Sequence, residues 1–315
     1  MTQPGLHHVT AFSGSAARNL DFYTRILGLR LVKKTVNFDD PGTYHLYYGD
    51  ETGRPGTILT FFPIPHAAPG RVGAGETGET AFRVPRASLG WWVQRLVEAG
   101  IAHDAPVAVM GEPTLRLRDP DGTSLALVGV AEAGEAPVRS GDTPARSGDV
   151  PAEHAIRGLH GVTLHLGATE ATAAILTDVL GFTEATREGA ATRYASGAAE
   201  GGFVTLRTVG EVPRGRQGAG SVHHIAFRAA DDAAQGAMVA ALTTRHGLAV
   251  TEQRDRAYFR SVYFREPGGV LFEIATDVPG FAVDEAVADL GASLKLPAGL
   301  EPHRARIEAS LPALV

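Results

Sequence analysis

Two stretches of the chain repeat one chemical theme. Near the start stands Gly5-Leu6-His7-His8-Val9-Thr10-Ala11-Phe12, and much later stands Ser221-Val222-His223-His224-Ile225-Ala226-Phe227. Both are apolar, partly β-branched and too short for a helix, so they read as strands. Side chains alternate faces along a strand, so the two histidines of each pair are expected to point opposite ways. One histidine per strand then faces a shared cavity. A third partner is Glu273, a lone carboxylate inside the apolar run Val270-Leu271-Phe272-Glu273-Ile274. Two inward imidazoles and one inward carboxylate make a facial triad, a set that leaves one side of a metal open. A paired histidine alone is more often a satisfied core or edge residue. The duplication, together with a carboxylate in an apolar strand, favours a metal.

Composition narrows the metal and the partners. The 315 residues carry a net charge of -6, with 44% hydrophobic and 20% charged residues, as in a soluble globular protein. That charge argues against nucleic acid or an anionic membrane surface as a partner. There is no cysteine, so thiolate ligands, disulfides and cysteine nucleophiles are all excluded. Histidine and carboxylate ligands suit a harder ion such as Fe(II), or Mn(II). No apolar run is long enough to span a bilayer, and Met1-Thr2-Gln3-Pro4 lacks signal-peptide character, so a cytoplasmic protein is expected.

The elements that must position these residues recur four times, each as a strand, a helix and then several strands. The first copy runs from Leu6 to Pro65, with a helix from Ala16 to Leu27 that stops at Gly28. A second spans Glu79 to Val130, with a helix from Leu89 to Ala99. Residues 131–156 are rich in Gly, Pro, Ala and Asp and contain the near repeat Arg139-Ser140-Gly141-Asp142 and Arg146-Ser147-Gly148-Asp149. They show no hydrophobic period and read as a linker. Residues 132–150 of it are expected to be exposed. The third copy starts at Leu159-His160-Gly161-Val162-Thr163, with a helix from Thr169 to Leu180. The fourth starts at Val222, with a helix from Asp232 to Arg245, and ends in the Glu273 strand. A tail, 277–315, contains one short helix, Arg304 to Ser310, and is expected to wrap the domains.

A βαβββ module cannot bury its sheet alone, so modules pair. The sequence resembles the vicinal oxygen chelate superfamily of glyoxalases, fosfomycin-resistance proteins and extradiol dioxygenases. The resemblance rests on His-His-Val-Thr, on Phe22-Tyr23 followed by Leu27-Gly28, on the Asp/Glu-Pro-x-Gly turns and on Phe272-Glu273-Ile274. It implies an α+β fold of four βαβββ modules paired into two domains. Chain order places them at 1–130 (modules one and two) and 157–276 (modules three and four).

Aligning the modules locates the site. The first-strand ligand position carries His8, Glu79, Gly161 and His224; the last-strand position carries Thr60, Ala126, Thr205 or Leu206, and Glu273. Modules one and four together hold two histidines and a carboxylate, so one metal site is expected between the ends of the chain. That departs from catechol extradiol enzymes, whose ligands lie in the C-terminal domain, and is similar to hydroquinone-type ring-cleaving dioxygenases. The resemblance implies Fe(II) on His8, His224 and Glu273, with His7, Thr10, His223, Arg256 and Tyr263 as further active-site residues. It also implies a small aromatic substrate, dioxygen and a homo-oligomer. Rival readings are a catechol dioxygenase, a glyoxalase-like lyase or isomerase, and a metal-free binding protein. His7 and His223 are expected to point away from the cup if His8 and His224 point in.

Overall fold

The computed structural model describes residues 4–131 and 150–314. Four modules of the same build follow one another. The first holds β1 (Leu6–Ser13), α1 (Ala16–Asp21, continued by a π-helical turn over Phe22–Ile26), β2 (Arg30–Asn37), β3 (Asp40–Gly49) and β4 (Ile58–Pro63). The second holds β5 (Glu76–Pro85), α2 (Leu89–Glu98), β6 (Val107–Val109), β7 (Glu112–Arg118) and β8 (Ser124–Val130). The third holds β9 (Leu159–Leu166), α3 (Glu170–Asp178), β10 (Thr183–Glu188), β11 (Ala191–Ala195) and β12 (Phe203–Thr208). The fourth holds β13 (Val222–Ala229), α4 (Asp232–His246), β14 (Arg254–Asp255), β15 (Arg260–Arg265) and β16 (Leu271–Thr276). A tail follows, with α5 at Arg304–Ser310.

The strands form two curled eight-stranded sheets, ordered β14-β15-β16-β13-β1-β4-β3-β2 and β10-β11-β12-β9-β5-β8-β7-β6. The architecture is α+β, with paired modules as expected. The partners do not follow chain order, however: the sheets join module one to four and module two to three. The division of the chain at 131–156 therefore separates halves of the sequence, and each sheet draws on both halves. The loops between modules reinforce this exchange. Residues 69–74 pair with 214–219 through bridges at Pro69–Ala219, Arg71–Arg216 and Ala74–Arg214. A Cβ on Gly73 would stand 2.3 Å from the Pro213 carbonyl oxygen, so that close approach requires glycine.

One face of each sheet packs with the helices into a single core. Val9, Phe61, Ile225 and Phe272 of the first sheet share it with Phe82, Leu127 and Leu164 of the second. Phe22, Tyr23, Trp92, Ile175 and Leu242 fill it from the helices. The other faces form two cups. Helix ends obey local rules: the Ser15 hydroxyl accepts from Arg18 N–H at the start of α1, and the Asp231 carboxylate accepts from Ala234 N–H at the start of α4. Gly247 closes α4 in the left-handed conformation.

The tail lies against module one. Its Phe281 and Leu290 are buried with Val32, Tyr47 and Phe259, while Leu296 and Ile307 are buried with Val36. Fully buried Lys33 donates to Asp284 and Glu285 of the tail. The near repeats of the linker lie outside the described residues. Val150, the last residue of the segment expected to be exposed, is buried instead; beyond that segment Ala155 is also buried and His154 stacks on Trp91. An apolar residue beside a helix-terminating glycine explains this, because Val150 sits directly over Gly28. Among the described residues no helix is long and apolar enough to cross a membrane.

Candidate metal centre

β1 and β13 lie side by side at the middle of the first sheet, which brings residues 216 positions apart into contact. His8 Nε2 and His224 Nε2 stand 3.3 Å apart. Glu273, on β16 next to β13, puts Oε2 at 2.8 Å from His224 Nε2 and 3.4 Å from His8 Nε2. Among the described residues these three form a group able to hold one ion, all buried, with ligand atoms within 4.8 Å of one another. Glu273 Oε2 is buried yet makes no hydrogen bond of regular geometry. Such an atom is costly unless something else satisfies it. Lone pairs from two rings and a carboxylate converge on one small volume, so the donor set fits a divalent cation.

The strands depart from simple alternation at both histidine pairs. His7 is an extra residue between the pairs Leu6–Phe227 and His8–Ala226, and His223 is an extra residue between Thr10–His224 and Ala11–Val222. A β-bulge re-aims the side chains around it. Each pair therefore stays in contact instead of splitting across the sheet. His7 Nδ1 lies 3.0 Å from His8 Nδ1, and His223 Nδ1 lies 2.8 Å from His224 Nδ1. A ring that ligates through Nε2 carries its proton on Nδ1, and the neighbouring ring accepts it. His223 lines the same cavity as His224, contrary to the expectation that it points away, whereas His7 is buried behind His8.

Electrostatics match this arrangement. Burial, then the His8 charge, holds the His7 pKa well below the usual imidazole range. His223 falls to about 3, again through burial first and His224 second. Both therefore stay neutral acceptors. Burial, opposed by Glu273, also lowers His224. Glu273 feels burial pushing its carboxyl up, but His8 and His224 outweigh this and keep it ionised. Its Oε1 accepts from Ser261 Oγ, which leaves Oε2 free to face the rings.

A cavity of about 90 Å³ opens over the three ligands. Phe62 and Phe259 wall it, and the Phe259 ring lies 5.1 Å from His8. Tyr263 stands opposite Glu273 in the β15–β16 register and edge-on to His224. Arg256 Nε donates to the Tyr263 hydroxyl at 3.2 Å, and its terminal nitrogen pairs with Asp39 at 3.0 Å. Burial and then Glu273 raise the Tyr263 pKa, so the phenol keeps its proton. Thr10 is brought opposite His224 but is fully buried, bonded to Thr60 Oγ1 at 2.9 Å.

The sequence reading missed His45. It lines the cavity and contacts Thr60 Oγ1 through Nε2 and the Tyr47 hydroxyl through Nδ1, each at 2.8 Å. Asp39, Phe259 and Ser261 were missed as well. The available signal was the alternation Tyr44-His45-Leu46-Tyr47, which places His45 and Tyr47 on one face. The strand pairings also resolve the uncertain position in module three. Gly161 precedes Thr163 by two residues, and Thr163 pairs with Thr205, as Thr10 pairs with Thr60 and Ala226 with Glu273. Thr205, not Leu206, is the counterpart of Glu273.

Paired four-strand modules, curled into cups with an inward His/His/Glu group in one of them, define the vicinal oxygen chelate class. The chain belongs to the Glyoxalase/Bleomycin resistance protein/Dioxygenase superfamily, whose family model matches residues 5–127 and 158–274. It is 46% identical over 314 residues to a Bacillus subtilis (strain 168) protein with the provisional name ring-cleaving dioxygenase MhqE; the match covers 100% of both chains. It is 33% identical over 308 residues to the chlorohydroquinone/hydroquinone 1,2-dioxygenase of Sphingobium indicum, covering 94% of this chain and 92% of that one. A crystal structure of a provisionally named dioxygenase from Bacillus subtilis superposes with a TM-score of 0.93 at 43% identity, covering 100% and 98%. Glyoxalase I from Zea mays shares the fold at a TM-score of 0.65 and 16% identity, covering 87% and 92%.

Proposed function

We propose that the chain is a ring-cleaving dioxygenase acting on a hydroquinone-type substrate, with Fe(II), or alternatively Mn(II), held by His8, His224 and Glu273. The observation that carries this reading is the buried, unbonded Glu273 Oε2 facing two ring nitrogens inside a small aromatic-walled cavity. Thr60 at the remaining module position weighs against a glyoxalase-like isomerase, which needs a fourth protein ligand. Its hydroxyl is already engaged by Thr10 and His45.

Two neutral imidazoles and one carboxylate leave a divalent ion with one net positive charge, which favours a phenolate partner. Hydroxyls in para positions offer one oxygen to such an ion, unlike the chelating pair of a catechol. When bound, Fe(II) supplies an electron relay between an aromatic ring and dioxygen. The protein's own residues position and protect. Phe62 and Phe259 flank a single ring and exclude water, and a cavity of about 90 Å³ suits one small ring. Tyr263, protonated at neutral pH, donates from one side, and Arg256 supports developing negative charge beside it. His7 and His223 fix the orientation of the ligating rings, and Thr10 holds Thr60 away from the ion.

The test is anaerobic reconstitution with Fe(II), then oxygen consumption with matched hydroquinones and catechols. Faster uptake with hydroquinones supports the reading. Preference for catechols moves the protein to the catechol class, and no uptake with either defeats the dioxygenase reading. A cytoplasmic homo-oligomer belongs to the same proposal and is checked by cell fractionation and light scattering.

A further inference from the structure

Asp39 belongs to module one, yet it closes the first cup against module four. It sits in the short turn between β2 and β3, where Asn37 pairs with Asp40. The turn is pinned on both sides. Asn37 Oδ1 accepts from the Asp39 N–H at 3.0 Å, and Phe38 packs into the cluster of Val36, Leu296 and Ile307. The Asp39 carboxylate lines the cavity and gives its two oxygens to two arginines of the other module. Oδ1 accepts from Arg254 at 3.3 Å and Oδ2 from Arg256 at 3.0 Å.

Arg256 starts a strained turn. Ala257 adopts a left-handed backbone conformation (φ 66°), and the Arg256 carbonyl accepts from Tyr258 N–H at 2.8 Å across it. A three-residue turn of this kind is rare outside glycine and persists only where its surroundings impose it. Here they do. Tyr258 stacks on Phe281 of the tail at 5.1 Å, and Phe259 stands 5.1 Å from the His8 ring. The backbone at Arg256 is thereby fixed, but its side chain is long and rich in rotamers. The guanidinium is held at two ends: Nε donates to the Tyr263 hydroxyl at 3.2 Å, and a terminal nitrogen donates to Asp39. Among the described residues no other carboxylate pairs with Arg256. The Asp39 side chain is 57% exposed, against 17% for Arg256. An ion pair so exposed contributes little to stability, so its effect lies in geometry.

We propose that Asp39 is a positioning residue, supplied by module one, that holds the Arg256 guanidinium against the Tyr263 hydroxyl of module four. Without the carboxylate, the terminal nitrogens turn toward water and the Nε donor leaves the phenol. This role in turnover presupposes the ring-cleaving reaction proposed above, whereas the placement of Arg256 does not.

The test has two readouts. In the metal-free protein, NMR follows exchange with water of the Arg256 Nε–H, a resonance assigned by its loss in Arg256→Lys. It should exchange slowly in the unaltered protein, in Asp39→Glu and in Arg254→Gln, and fast in Asp39→Asn. In the iron-loaded protein, Asp39→Asn should lower kcat for a hydroquinone about tenfold, with KM within about twofold and iron content unchanged. Asp39→Glu should recover most of that loss. Arg254→Gln should show none of it, because the hydrogen bond to Tyr263 comes from Arg256. Slow exchange at Arg256 in Asp39→Asn overturns the proposal, as does fast exchange in the unaltered protein. So does Arg254→Gln matching Asp39→Asn, or Asp39→Asn changing KM alone or neither constant. If the unaltered protein takes up no oxygen with any hydroquinone, the ring-cleaving reading fails, and the resonance by itself decides the placement of Arg256.

Discussion

Glu273 concentrates the chemistry of the first cup in one oxygen atom. Gln at this position keeps the shape but removes the charge that two neutral imidazoles need beside them to hold a hard cation. Glu273→Gln is expected to lose both bound iron and turnover, with turnover still impaired in excess Fe(II). Phe272→Leu, next door on the core face, should cost about 1–2 kcal/mol of stability and leave metal binding in place. Metal analysis and oxygen uptake on the two variants side by side check this. Gly161 offers a second residue-scale test. A Cβ there would stand 2.2 Å from the Phe203 carbonyl oxygen, so the position is closed to any side chain. Gly161→His in a His8→Ala background should restore neither metal nor activity, and recovery of either would refute this account. His8, His224 and Glu273 were legible because a duplicated pair and a charge in an apolar strand are both unusual. His45 was not, because a lone histidine in a polar-aromatic strand carries no local mark of what it faces. The bulges at His7 and His223 were also hidden, since neither contains the glycine that often signals one.

Among the elements, helices were the most legible. The short tail helix lies at Arg304–Ser310 as expected, and the others shift by a residue or two at their ends. The first departs most, because its last turn widens into a π-helical segment that no propensity marks. The tail itself reads as polar and proline-rich, yet it is anchored by the buried Lys33–Glu285 pair. Glu285→Ala leaves that lysine with only Asp284 and should destabilise the protein by about 3 kcal/mol in urea unfolding. It should also slow turnover, because Phe281 packs against Tyr47 and lies close to Phe259, a wall of the cavity. A silent Glu285→Ala would show that the tail is held by its apolar contacts alone. In the second cup, β7 and β11 are tied by Glu112. Burial pushes its carboxyl up, but His160 and Arg193 hold it at about 2. Burial lowers the His160 pKa, so Arg193 is the partner that stays charged. A carboxyl below its ordinary 4.5 adds stability that is complete above that pH and lost as pH falls toward 2. Urea midpoints at about pH 5 and about pH 3 should therefore diverge less in Glu112→Gln than in the unaltered protein.

Across the whole molecule, four modules and one His/His/Glu grouping shared by the first and last were legible from the pattern of lost ligands. The sheet partners were not, because neighbours in sequence are usually neighbours in space and nothing local overrides that default. Separate halves of the chain test the consequence. Residues 1–140 and 141–315 expressed apart should each fail to retain iron and should aggregate through the open edges of β1, β5, β9 and β13. Co-expression should recover a metal-binding complex, and a half that binds iron alone would contradict the shared site.

The pairing of β1 with β13 also sets a schedule. His8 leaves the ribosome 216 residues ahead of its partner His224. At synthesis rates of roughly 5–20 residues per second, that interval lasts on the order of 10–40 s. Throughout it, an apolar strand bearing two histidines waits without its neighbour, open to chaperones or to stray ions. Any product cut short before Val222 lacks two of the three proposed ligands, His224 and Glu273. Loading of the proposed site with metal thus requires that translation has passed Glu273.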